Sequence, residues 1–187
     1  VFLFLLAYWC YIDGVDTIIR MAVNYGQSLH LNQKDLVLAL LITQFIGFPA
    51  AIVFGVLGKR WGAKTGIFIA LFVYIIVTIW AYFMQSEREF YILAIVIGLV
   101  QGGIQSLSRS LFTRIIPGKN SGEFFGFYNM LGKFAAVLGP FTVGLVSQVS
   151  GNPRLGILVL VVFFVVGGIL LYYVDEGKAR NTAIIGI

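Results

Sequence analysis

The stretch YIDGVDTIIRMA, residues 11–22, sets Asp13, Asp16 and Arg20 in an otherwise apolar run. Two further runs carry comparable groups: QGGIQSLSRS holds Gln101, Gln105, Ser106, Ser108 and Arg109, and NMLGK holds Asn129 and Lys133. Carboxylates in an apolar setting can take up a proton or a cation, carboxamides and hydroxyls can hydrogen-bond a polar solute, and a lysine can hold a carboxylate. At 100° per residue, Asp13, Asp16 and Arg20 fall within about 60° of one another, and Gln101, Gln105 and Arg109 within about 80°. Asn129 and Lys133, one turn apart, also share a face. Each set is a polar stripe on one side of a helix.

The chemistry of soluble enzymes is missing from the sequence. The single histidine, His30, and the single cysteine, Cys10, have no second His or Cys to complete a metal site, so neither metal nor cofactor is expected. Cys10 reads as a small buried hydrophobe. No G-x-S-x-G, Walker loop, H-E-x-x-H or dinucleotide fingerprint occurs. An intramembrane aspartyl protease would need two Asp on facing helices. Asp13 and Asp16 share one helix, and the other six acids, Asp35, Glu87, Glu89, Glu123, Asp175 and Glu176, lie in connections or at span ends. No enzyme is expected.

The elements that must position these groups follow from composition. With 59% hydrophobic and 11% charged residues, and a mean hydropathy of +0.95, the chain lies far outside the range of water-soluble domains. Six apolar stretches, 1–25, 36–57, 66–84, 90–113, 123–148 and 154–174, each approach the ~20 residues that a helix needs to cross a bilayer. Short connections rich in Gly, Pro, Asn and charge separate them. The alternation of a transmembrane β-strand is absent. The expected fold is an all-α membrane protein of six transmembrane helices over 1–178, followed by a cytoplasmic tail, 179–187.

The third and sixth spans have no charge in their apolar interiors and are expected to face lipid all round, whereas the first, fourth and fifth must shelter their stripes. A charge at mid-bilayer costs about 3 kcal/mol on insertion scales. Arg20 and Arg109 lie about five residues from a helix end and can snorkel to the interface. Asp13, near the centre of its span, and Lys133, ~16 Å from the inner end of the fifth, have no such escape. Asp13 is the first choice for a titrating carboxylate. A structural ion pair between helices is the alternative for these groups.

Spans one and four carry polar stripes, spans two and five carry Pro in their second halves, and spans three and six are plain. Because the two triplets start on opposite sides, the pattern is a 3+3 inverted repeat, the architecture of many secondary transporters. The loop charges orient it: Lys59, Arg60, Lys64, Arg114, Lys119, Lys178 and Arg180 gather on one side against Lys34, Arg88 and Arg154 on the other, which puts both ends in the cytoplasm. This bias accounts for the net charge of +5 without a nucleic-acid partner. Gly98/Gly102 and Gly122/Gly126 are small-xxx-small pairs suited to close helix packing. The chain opens inside an apolar segment with no signal-peptide pattern, so a longer protein is expected around it.

The connection GVLGKRWGAK, Gly55 to Lys64, resembles the loop between the second and third helices of each half of the major facilitator superfamily, roughly G-x-L-x-D-R-x-G-R-R. Gly55, Leu57, Arg60, Gly62 and Lys64 match; Lys59 stands where the pattern has Asp, so no Asp-based latch is expected here. YIDGVDTIIRMA, QGGIQSLSRSLFTRIIP, GEFFGFYNMLGKFAAVLGP and GNPRLGI together resemble the vacuole-effluxer-like branch of that superfamily, more closely its bacterial members than the fungal autophagy-related ones.

The resemblance implies one half of a major facilitator fold, the C-terminal six helices, partnered by an N-terminal half. It implies a secondary active transporter in a bacterial inner membrane, exporting small solutes such as amino acids by alternating access. Asp13, Asp16 and Arg20 would serve ion coupling by a proton or cation. Gln101, Gln105, Asn129 and Lys133 would bind substrate. Lys59, Arg60, Arg109, Arg114 and Glu123 would form a cytoplasmic gate. The alternative is a non-transporting receptor or assembly subunit built on a transporter half.

Overall fold

The computed structural model describes residues 1–116 and 121–175. Lys119, Lys178, Arg180 and the expected tail 179–187 lie outside the described residues. Helices α1 (Phe2–Ser28), α2 (Gln33–Trp61), α3 (Ala63–Phe83), α4 (Glu87–Ile115) and α5 (Ser121–Ser150) are followed by α6 (Pro153–Leu158) and α7 (Leu160–Tyr172). The last two together make the sixth span, Pro153–Tyr172. All six spans are long and apolar enough to cross a membrane, and the described residues contain no strand.

The breakers in the sequence end helices for identifiable reasons. Asn32, Ser86 and Asn152 cap α2, α4 and α6 by accepting from the main-chain N–H of Lys34, Glu89 and Arg154. Gly62, at φ +87°, is the single residue joining α2 to α3, in a conformation that a β-carbon disfavours. Inside α5 the helix departs from ideal geometry at Ala136 (φ −71°, ψ 15°). Pro140, four residues on, can neither donate to the Ala136 carbonyl nor avoid crowding it, which accounts for the break.

Packing follows the inverted repeat. The first helix of each triplet packs on the second of the other, α4 on α2 and α1 on α5. Each also packs on the third helix of the other triplet, α4 on α3 and α1 on α7. Small residues set the closeness: a Cβ on Gly102 would run into the Gly47 carbonyl and Ala51, and one on Gly98 into the Thr43 carbonyl. By contrast, a Cβ on Gly122 or Gly126 would meet nothing within 4 Å, so that pair makes no close packing among the described residues.

The third and sixth spans do not face lipid all round. Ile67, Ala70, Leu71, Tyr74 and Val77 of α3 are buried, as are Leu160, Phe164 and Leu171 of α7, and the rings of Tyr74 and Phe164 stack at 5.3 Å. An uncharged span is free to meet lipid but gains as much from close packing on a neighbour. Here Gly14 and Gly167 let α1 and α7 come together, against Phe164 and Tyr11 respectively.

Candidate functional site

The first helices of the two triplets have the same construction on their shared face. Tyr8, Ile12 and Asp16 climb α1 at four-residue intervals, and Gln101, Gln105 and Arg109 climb α4 in the same way. Side chains so spaced form one line along a helix. Together with Tyr128, Asn129, Gly132 and Lys133 of α5 and Gln44, Gly47, Phe48 and Ala51 of α2, they line an open cleft of about 850 Å³. Gly102 and Gly132 keep its walls low.

The lining is polar at membrane depth. Gln44, Gln105, Arg109, Asn129 and Lys133 are exposed, and Asp16 and Gln101 are half-buried. One carboxylate therefore shares the cleft with two cations and four carboxamide side chains. That set offers donors and a net positive balance to a solute with a carboxylate or similar acceptor.

Toward the end where α1 begins and α4 finishes, aromatic rings close the cleft. Tyr8 stacks on Tyr128 at 4.2 Å, Tyr128 on Phe112 at 4.7 Å, and Phe112 on Phe4 at 5.8 Å. Behind this floor, the buried Tyr11 hydroxyl lies 2.6 Å from Ser108 Oγ, joining α1 to α4. Such contacts fix the rings that bound the cleft.

The two aspartates of α1 go to different places. Asp16 lines the cleft. Asp13, 1% exposed, is turned onto α5, where a Cβ on Gly139 would stand 2.9 Å from its Oδ1. Arg20, one turn beyond Asp16, is exposed and does not line the cleft. Gln101, Gln105, Asn129 and Lys133 come together on its walls.

Of the residues assigned to a gate, Lys59 and Arg60 are exposed in the last turn of α2, and Arg114 in the last turn of α4. Glu123 lies in the first turn of α5, beside Val1, Phe2 and Leu5 in a separate groove. Arg109 sits apart from them, on the cleft wall.

Sequence reasoning missed Gln44, Tyr8 and Tyr128, all of which line the cleft. Gln44 had a signal, as the one carboxamide inside the second apolar run, LALLITQFIGFPA. The tyrosines had none, because nine Tyr and 17 Phe are spread through the spans.

Outside the cleft, α2 and α5 present exposed apolar residues: Phe45, Ile52 and Val56 on one, Phe134, Val137 and Phe141 on the other. The polar cleft thus lies between two apolar flanks.

A family profile described as "Vacuole effluxer Atg22 like" matches residues 1–184. The chain is 42% identical, over 182 residues, to the "Uncharacterized MFS-type transporter YxiO" of Bacillus subtilis (strain 168), covering 97% of this chain and 42% of that protein. It is 29% identical over 200 residues to Autophagy-related protein 22 of Cryptococcus neoformans var. neoformans serotype D (strain JEC21), covering 98% of this chain and 35% of that one. Against Autophagy-related protein 22 of Saccharomyces cerevisiae (strain ATCC 204508 / S288c) the identity is 27% over 202 residues, 98% of this chain and 37% of the relative. The chain spans well under half the length of these relatives. With six membrane-length helices in the arrangement of half a major facilitator fold, the chain belongs to the Atg22-like vacuole effluxer family.

Proposed function

We propose that this chain is the C-terminal half of a secondary active transporter that exports small polar solutes, amino acids among them, by alternating access. The observation that carries the reading is the cleft: charged and carboxamide side chains from four helices face one open concavity at membrane depth, where isolated charges are costly. An N-terminal six-helix half would cover the apolar flanks of α2 and α5 and close the cleft into a central cavity. The Bacillus relative, an MFS-type transporter by name, and the vacuole-effluxer family support the same reading.

In this proposal Gln101, Gln105 and Asn129 hydrogen-bond the solute and Lys133 holds a carboxylate. Asp16, with Arg20 one turn away, and Asp13 serve ion coupling. Lys59, Arg60, Arg114 and Glu123 close the cytoplasmic end, with Arg109 at the boundary of cleft and gate. The bundle ends near residue 178, its tail and both termini lie in the cytoplasm, and the membrane is a bacterial inner membrane, as the loop charges and the Bacillus relative suggest.

The test is solute flux in proteoliposomes holding the full-length protein. Asp16→Asn and Lys133→Ala replace half-buried or exposed side chains, so both variants are expected to fold while losing flux at least tenfold. Full flux in both would refute the reading, and loss of folding in Lys133→Ala would make that lysine structural.

A further inference from the structure

Among the described residues, Trp9 Nε1, Asp13 Oδ1 and Thr17 Oγ1 are buried without a hydrogen-bond partner, and they stand at four-residue intervals on α1. Orphaned buried polar atoms are rare enough in native structures that each calls for a cause. Asp13 is 1% and Thr17 0% exposed, and both press on one point of α5: a Cβ on Gly139 would stand 2.9 Å from Asp13 Oδ1 and collide with Thr17 Oγ1. The main-chain N–H of Gly139 also faces the Asp13 carboxyl, and Phe164 of α7 packs against Gly14. Arg20 on α1 and Lys133 on α5 are exposed, and Asp16 is turned to the cleft.

On the facing helix the backbone is broken at Ala136, and Pro140 has no N–H for the Ala136 carbonyl. A carboxylate oxygen and a hydroxyl oxygen therefore meet α5 at Gly139, and a carbonyl deprived of its helical donor belongs to the same turn of that helix. We propose that Asp13, Thr17 and the Ala136 carbonyl bind a small monovalent cation, Na⁺, between α1 and α5.

Hard cations take oxygen ligands of this kind, and interrupted membrane helices supply carbonyls to Na⁺. One carboxylate neutralises one positive charge, whereas a divalent ion would leave net charge in an apolar surround. Glycine at 139 lets Thr17 and Asp13 approach the α5 backbone, since a methyl group there would displace the Thr17 hydroxyl. The assignment rests on the coupling role proposed for Asp13 and names its ion.

The experiment measures the thermal unfolding midpoint of the full-length protein in lipid nanodiscs at fixed pH, with NaCl replacing choline chloride at constant ionic strength. The wild type is expected to show a saturable rise of about 5 °C. Asp13→Asn and the near-isosteric Thr17→Val should lose that rise, and Gly139→Ala should need at least tenfold more Na⁺ to reach it. A wild-type midpoint indifferent to Na⁺, or a response kept in both Asp13→Asn and Thr17→Val, would overturn the assignment. So would a response to pH alone, which would make Asp13 a proton site. Should Asp13→Asn fail to fold, Thr17→Val decides. Because binding is read here and flux above, either reading can fail alone.

Discussion

Lys64, in the first turn of α3, donates from its ammonium to the main-chain carbonyl of Val174, just past the end of α7, at 2.7 Å. It also reaches the Tyr172 carbonyl at 3.0 Å. At the opposite end of the same helix pair, Arg154 Nη1 of α6 donates to the Tyr82 carbonyl near the end of α3 at 2.7 Å. Both cations satisfy carbonyls that a finishing helix leaves without donors, at the negative end of its dipole. The third and sixth spans are thereby tied at both ends, each helix start holding the other's finish.

Lys64→Met should therefore loosen α3 from α7 while preserving side-chain length. The loss expected is about 1–2 kcal/mol, since charged donors to carbonyls outweigh neutral ones but membrane hydrogen bonds average less. Lys64→Arg should restore most of it. The measurement is the detergent-induced unfolding midpoint; an unchanged midpoint in Lys64→Met would show that the bond contributes nothing.

The α2–α4 contact makes the opposite demand, for the absence of atoms. Gly102 has no room for a β-carbon against the Gly47 carbonyl and Ala51, and both Gly47 and Gly102 also line the cleft. Gly102→Val is thus expected to separate the two helices and abolish the monodisperse folded species in size-exclusion chromatography. Gly126→Val, where a Cβ meets nothing within 4 Å, is expected to leave that species intact. Equal yields of both variants would refute the close α2–α4 packing.

The contrast between these glycines shows where sequence pattern stops. Apolar run lengths, breaker residues and the Pro positions were legible because each acts within its own helix, and the six spans follow from them. Which face meets which neighbour depends on other helices. Asp13 and Asp16 differ by only about 60° around α1, too little for periodicity to separate a residue in the α5 contact from one in the cleft. Gly98/Gly102 and Gly122/Gly126 have the same spacing, yet only the first pair has a helix against it. The interruption between α6 and α7 at Val159 falls in LVLVVFF, a run with no Pro, Gly or polar residue to mark it. Plainness misled as well: the third and sixth spans lack charge, and they bury Tyr74 and Phe164 all the same.

Behind the aromatic floor, one hydroxyl makes two short bonds. Ser108 Oγ donates to the Ile104 carbonyl at 2.6 Å and lies 2.6 Å from Tyr11 Oη. A serine has one hydrogen to give, so with that hydrogen on Ile104 the tyrosine must be the donor. Removing either partner then has unequal consequences. Tyr11→Phe leaves Ser108 still bonded to Ile104 and short only of an accepted hydrogen. Ser108→Ala leaves the Tyr11 hydroxyl, 0% exposed, with no acceptor. An orphaned buried donor costs on the order of 1–3 kcal/mol, against about 1 kcal/mol for an ordinary bond lost. Ser108→Ala is therefore expected to lower the unfolding midpoint more than Tyr11→Phe, even though each deletes a single hydroxyl oxygen, and the double variant should recover part of the loss. Because Tyr11→Phe keeps the ring and its edge-to-face contact with Tyr8 at 5.7 Å, a Tyr11→Phe variant less stable than Ser108→Ala would show that Ser108, and not Tyr11, is the group left unsatisfied, and would refute the donor assignment.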